Sequence, residues 1–242
     1  MTSYGQFCPV SKAAELLDQR WMLLVVRELV AGSDRFTDIH RGVPRMSRSL
    51  LSKRLRQLVS EGLVERHEDD GTPRYHLTRA GEELLPVIEA LGRWGVRWID
   101  SLADEDLDPA FLMWDMQRGI DRAALPDGVT VLEVTFTDLD PDVGRWWLLL
   151  RADDIEICEE DHGYDVDVAM EVEIRPFVRL WRGDIGWETV VRGGSLRLHG
   201  PTHLRRQVPD WLKLSHFSTV ERPAPEAATT RADPARITST HV

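Results

Sequence analysis

Apolar residues recur at helical spacing through most of the first hundred positions. "RWMLLVVRELV" at Arg20–Val30 is apolar on almost every side, which predicts a buried helix stopped by "AGSD". Lys12–Leu17 and Phe36–Arg41 read as shorter helices, the latter closed by Gly42 and Pro44. From Ser47 to Glu61, leucines return at Leu51, Leu55 and Leu58 between a capping serine and Gly62, predicting a fourth helix. The period then falls to two: "LVERH" and "RYHLT" read as paired strands around the turn "EDDGTP". Arg79–Leu102 is helical again, one long element bent at Pro86, whose ring removes a backbone hydrogen bond.

After "ADEDLD" the texture changes. A helix at Pro109–Arg118 is followed by strands at Val129–Thr137, Arg145–Ala152, Ile155–Glu159 and Val166–Ile174. Helices near Phe177–Arg182 and Trp187–Arg192, the strand "SLRLHG" and a helix over Thr202–Leu214 complete an α+β pattern. From Arg222 onward the chain is rich in Pro, Ala and Thr with almost no large apolar residue, so a disordered tail is expected. The resulting division is 1–105, 106–221 and a tail of 222–242.

Charge sharpens that division. Residues 1–100 carry 15 Lys/Arg and 14 Asp/Glu, a net of +1; residues 101–242 carry 15 and 27, a net of −12. Nucleic acid is therefore expected to meet only the first half. No apolar run approaches the roughly 20 residues that span a bilayer, so no membrane partner is expected. Two cysteines, Cys8 and Cys158, make no disulfide framework, which points to a reducing cytoplasm.

Between Arg41 and Arg56 there are six basic residues and no acidic one. At about 100° per residue, Leu51, Leu55 and Leu58 share a narrow arc of the fourth helix. Ser49, Lys53, Arg56 and Gln57 lie nearly opposite, with Ser52 beside them. One side can pack on a core while the other offers donors and positive charge to a groove. The preceding helix, the sharp "RGVPRM" connection and the hairpin complete a winged helix-turn-helix by order and length. Double-stranded DNA is the simplest reason to exclude carboxylates there, since each would repel phosphate.

Between Cys8 and about Gly95 stand "CP" near the start, "WMLLVVREL", "RFTDI", "SRSLLSKRLRQL", "GLVER" and "YHLTRAGEEL". Together they resemble the HxlR family of bacterial winged-helix transcription regulators. The resemblance implies a homodimer joined through the N-terminal segment and the long helix after the wing. It also implies a recognition helix in each major groove, with Ser47, Arg48, Ser49, Ser52, Lys53, Arg56 and Gln57 facing the DNA. Arg74 matches the family's wing arginine, a backbone contact. Cys8 before Pro9 matches the cysteine that is an oxidant- or electrophile-reactive switch in some members. Two departures stand out. The wing tip is acidic (Glu68, Asp69, Asp70), which disfavours its entry into a minor groove, and the chain runs on for well over a hundred residues.

The distal part of that extension, "RPFVRLWRGDIGWETVVRGGSLRLHGPTHLRRQVPDWL", is similar to the end of SCP2-like (sterol-carrier) domains. Gly194, Leu196, Leu198 and Gly200 carry most of the likeness. It implies a sheet with helices on one face and an apolar tunnel open to a hydrophobic small-molecule effector. Phe111, Met113, Trp114, Trp146, Trp147, Phe177 and Trp181 supply large apolar residues for such a site or for an ordinary core.

Other constellations are weak. "DLDPDVG" starts like a calcium loop, but its glycine comes one place late and the twelfth position is Leu149. His199 and His203 are separated by Gly200 and Pro201, which preclude a shared helical face. No nucleophile elbow, phosphate loop or dinucleotide fingerprint is present, so no catalysis, cofactor or metal is expected. The expectation is a dimeric DNA-binding regulator controlled by an apolar effector. A lipid-like carrier whose winged helix serves protein contact is the alternative.

Overall fold

The computed structural model describes residues 3–99 and 101–223. In the first half, α1 (Pro9–Leu17), α2 (Met22–Val30), α3 (Phe36–Arg41) and α4 (Arg48–Ser60) precede a hairpin of β1 (Val64–Asp69) and β2 (Thr72–Leu77). The hairpin is tighter than its composition suggested. Glu68↔Pro73 and Asp69↔Thr72 still pair, so only Asp70 and Gly71 form the turn, both at positive φ, the requirement of a type I′ connection. The expected single bent helix after the wing is two helices, α5 (Arg79–Glu82) and α6 (Leu85–Trp98). Pro86 lies in the first turn of α6, where a proline displaces no intrahelical bond and therefore starts the helix.

The second half contains α7 (Pro109–Arg118), β3 (Thr130–Phe136), a one-turn α8 (Pro141–Gly144), β4 (Arg145–Leu150), β5 (Ile155–Cys158) and β6 (Val168–Val172). It closes with α9 (Ile174–Trp181), α10 (Trp187–Arg192), β7 (Leu196–His199) and α11 (Thr202–Trp211). The five strands form one mixed sheet in the order β5-β4-β3-β6-β7, with β3 and β6 parallel and the other pairs antiparallel. Alternation sorts its two faces. Leu132, Val134 and Phe136 of β3 join Leu148 and Leu150 of β4 against α7, α9, α10 and α11. Val131, Trp147, Leu149 and Cys158 make a small apolar group on the opposite face.

Buried apolar residues thus fall into two main cores, one built from positions 22–64 and one from 112–212. Met113 and Phe177 are fully enclosed in the second, and Trp146 and Trp181 nearly so, which fills the space between sheet and helices with side chains. Arg222 still belongs to the folded part through an ion pair with Asp184. The rest of the expected tail, from 224, lies outside the described residues.

The two cores are joined around Glu28. This α2 carboxylate is completely buried and accepts hydrogen bonds from the Arg27 guanidinium (3.0 Å) on one side. From across the seam it accepts Trp114 Nε1–H (3.2 Å) and pairs with Arg118 at 3.1 Å. Arg118 and Arg41 both lie over the Trp114 ring, at 5.3 and 5.4 Å from its centre. Gly42, which ends α3, lies against the same carboxylate: a Cβ there would sit 1.9 Å from Glu28 Cδ. Its backbone is ordinary αR, so space and not conformation requires glycine.

Gly42→Ala is expected to destabilise the fold by about 1–3 kcal/mol through overpacking against Glu28. In a Glu28→Ala background, itself weakened by about 3 kcal/mol for loss of a buried ion pair, the extra methyl should cost far less. A double-mutant cycle by urea denaturation measures this coupling; strict additivity would refute the contact.

Candidate nucleic-acid interface

Helix α4 is set by its cap and its stripe. Ser47 Oγ accepts the Leu50 N–H at 3.3 Å, and Leu51, Leu55 and Leu58 are sealed into the first core. The wheel placed the leucines, Ser49, Lys53 and Arg56 correctly, but Gln57, expected nearly opposite the leucines, accepts from Arg54 at 3.2 Å. Arg48, Ser49, Lys53 and Arg56 are exposed, while Ser52 and Gln57 are half-buried at the edges. Ser47 is exposed, but its hydroxyl is committed to the cap and to Ser49 Oγ at 3.2 Å.

Arg54, the remaining basic residue of the helix, turns inward. Its Nε donates to the Arg20 carbonyl at 3.2 Å, and Nη1 reaches the side-chain oxygens of Gln19 and Gln57. Arg54 therefore holds the α1–α2 corner on α4, a role that a count of charges along the sequence does not reveal. Glu15, Asp18 and Glu61 share a groove with Lys53, Arg56 and Gln57, so the carboxylate-free surface is the N-terminal half of α4.

The wing changes the sequence picture. Arg74 is 25% exposed and held by Asp34 Oδ2 at 2.5 Å and Asp69 Oδ2 at 3.0 Å. Glu68 pairs with Arg66 at 3.0 Å. Two of the three tip carboxylates are thus compensated within the wing, and Asp70 alone of the three has no cation within 4 Å among the described residues. Arg66 and His67, both exposed on β1, were not singled out from sequence because the charges of the strand alternate.

Cys8 is the N-cap residue of α1. The Ser11 and Val10 N–H groups, presented by the first turn, hold its thiol below the ordinary range. Cys158, buried beneath the sheet, is pushed up by desolvation and by Glu156. Among the described residues no group of three or more His, Cys, Asp or Glu is placed to hold a metal ion. No helix among them is long and apolar enough to cross a membrane.

A family profile described as HxlR-like helix-turn-helix matches residues 16–103. The "Uncharacterized HTH-type transcriptional regulator YvaP" of Bacillus subtilis is 38% identical over 100 residues, 40% of this chain and 93% of that protein. The chain belongs to the HxlR-like helix-turn-helix family. A second such regulator, sll1512 of Synechocystis, is 35% identical over 40% of this chain and 73% of its own length. Among solved structures, quinone-bound YodB from B. subtilis is 32% identical, covering 37% of this chain and 97% of that one at a TM-score of 0.33. The HxlR-like match ends near 103, so the sheet and its helices lie outside it.

Two outcomes follow for this HxlR-like protein. Leu55→Ala should cost about 2–5 kcal/mol in thermal or chemical denaturation, whereas Lys53→Ala should stay within about 0.5 kcal/mol of the parent. The reverse order would mean that the helix face is inverted. Iodoacetamide should modify Cys8 before Cys158, and its pH–rate profile should rise at lower pH than that of a free thiol, because the lowered pKa makes thiolate available earlier. Peptide mapping by mass spectrometry reads the order.

Proposed function

We propose that this helix-turn-helix regulator binds operator DNA as a homodimer, with α4 in the major groove and residues 1–105 as its reading unit. The observation that carries this is the solvent-facing set Ser49, Lys53 and Arg56, opposite three leucines of 0–1% exposure, with exposed Arg48 beside it at the start of the helix. A helix so anchored presents a donor-rich edge to phosphate and base, clear of carboxylates over its N-terminal half. Ser47, Ser52 and Gln57 flank this edge, and Arg74 is the wing's contribution, its charge already shared with two carboxylates.

Dimerisation is supported by apolar side chains left open on α6: Leu91, Trp94 and Trp98 are 43–56% exposed. Phe7 and Val10 of the N-terminal segment are 98% and 75% exposed. Such groups are costly on a lone chain and fit a self-complementary seam. Cys8 stands in that segment, so oxidation or alkylation of its thiolate would act where the subunits meet.

Residues 106–221 are proposed as an SCP2-like half through which a small apolar effector controls DNA binding. In support, the sheet carries its helices on one face and "GSLRLHG" forms its β7 edge. Its acidity makes it a poor contact for DNA.

Fluorescence anisotropy on the protein's own upstream region tests the reading. Affinity should fall steeply between 50 and 200 mM salt, by about a thousandfold if six phosphates are neutralised. Lys53→Ala and Arg56→Ala should each weaken binding and flatten the salt slope by about one unit. Trp94→Asp should yield monomers by light scattering. Binding that ignores salt and both substitutions would sink the proposal.

A further inference from the structure

The effector assigned above needs a place to bind, and the second core is already filled by its own side chains. Open space lies instead at the seam between the cores. A cleft of about 550 Å³ runs there, within the usual range for small-molecule sites. One wall comes from the reading unit, with Val30 and Ala31 at the end of α2 and Leu85 and Ile88 on α6. The other comes from the second half, where Phe111, Trp181 and Phe217 bring aromatic rings.

The charges around this cleft are unequal. Five carboxylates line it (Glu28, Glu89, Asp106, Asp108 and Asp115) against three guanidinium groups, those of Arg27, Arg118 and Arg182. All three cations are occupied. Arg27 and Arg118 flank Glu28, Arg118 also meeting Asp115 at 3.6 Å, and Arg182 shares Asp184 with Arg222 while donating to the Ile99 carbonyl at 3.3 Å. Asp108 is met by Arg45 at 3.6 Å, and Asp115 by Arg118 at 3.6 Å and Trp181 Nε1–H at 2.7 Å. The loosely held carboxylates are therefore the two at the rim, Asp106 and Glu89. Asp106 is exposed, and Glu89 is met by His216 at 3.7 Å. An anionic ligand would face Asp106 and Glu89 at the rim, with every guanidinium among the described lining residues already paired. A positively charged ligand would find carboxylates at the rim and the Trp181 and Phe217 rings inside, the Phe111 face being taken by Arg27 at 5.0 Å. Carboxylates and rings together stabilise a cation stripped of water.

We infer that this inter-core cleft is the effector site and that it takes a hydrophobic organic cation. The inference rests on the regulator reading, and it supplies the coupling which that reading lacks. The floor of the cleft is Glu28, Arg27 and Arg118, and the Glu28 carboxylate also touches Gly42, where the turn into α4 begins. A ligand wedged between α2 and α7 therefore acts on the same contact that seats the recognition helix. It shifts DNA affinity by as much as its own affinity differs between the free and DNA-bound arrangements.

The test uses the full-length, DNA-free protein and two probes of one shape and opposite charge, tetraphenylphosphonium and tetraphenylborate. Isothermal titration should show one cation per chain, bound about tenfold tighter than the anion. Ala31→Trp, which fills the mouth from an exposed position, should abolish uptake. The paired surface changes Glu89→Gln and Asp106→Asn should remove most of the preference for the cation while leaving the circular-dichroism spectrum unchanged. A second arm measures anisotropy of operator DNA with and without the cation, and a change in affinity is expected. Equal or tighter binding of the anion, or undiminished uptake by folded Ala31→Trp, would overturn the site. Uptake of the cation that leaves DNA affinity untouched would overturn its role as an effector site. Cation uptake by protein whose DNA binding ignores Lys53→Ala and Arg56→Ala would support the cleft and count against the α4 reading.

Discussion

One buried carboxylate organises the molecule. Glu28 sits at zero exposure in a helix whose one other charged residue is Arg27, a position that costs several kcal/mol unless every lone pair is met. Arg27 meets it from the same helix, while Trp114 and Arg118 meet it from the second half. The chain has therefore made its reading unit electrostatically incomplete without its extension. Arg41 and Arg45 add to the seam, over Trp114 and toward Asp108, so basic residues next to the recognition helix also bind the acidic half. Some of the carboxylate-free stretch noted in the sequence thus serves the protein itself.

Much of the fold was legible because most elements obey local rules. The leucine stripe, Ser47 cap and Gly62 stop predicted α4 to within a residue, and the strand and helix order of the second half follows from periodicity except for the one-turn α8, too short to show a period. The misses have physical causes. Pro86 was read as a kink because sequence does not reveal that Glu83 and Leu84 leave the helix just before it. The hairpin turn looked six residues long because Glu68 and Asp69 are poor strand formers, yet Arg66 and Arg74 pair with them across and along the wing.

The candidate interface was legible to a lesser degree. Which α4 residues face solvent was available from the wheel. That Arg54 is structural was not, because its partners Gln19 and Arg20 lie 34–35 residues away. The seam left only one faint trace, a lone acidic residue inside "MLLVVRELV", and its partners lie 86 and 90 residues further on. Long-range pairing of this kind has no periodic signature. The cleft beside it is likewise a product of two surfaces and belongs to neither segment of sequence.

The packing of Phe217 on Gly92 has a mechanical consequence. The ring lies so close to α6 that a Cβ at position 92 would stand 2.2 Å from it, and His216 reaches Glu89 one turn earlier. The second half is thus fastened to α6 at both of its ends, by the covalent link after Trp98 and by the return of the chain at Ser215–Phe217. A door-like swing about the line through those two points would have to break the buried contacts of Glu28 with Trp114 and Arg118. The displacements that spare them are small sliding movements of packed surfaces past one another. A signal that leaves the Glu28 contacts in place must therefore cross the seam as a slide of one packed surface over the other.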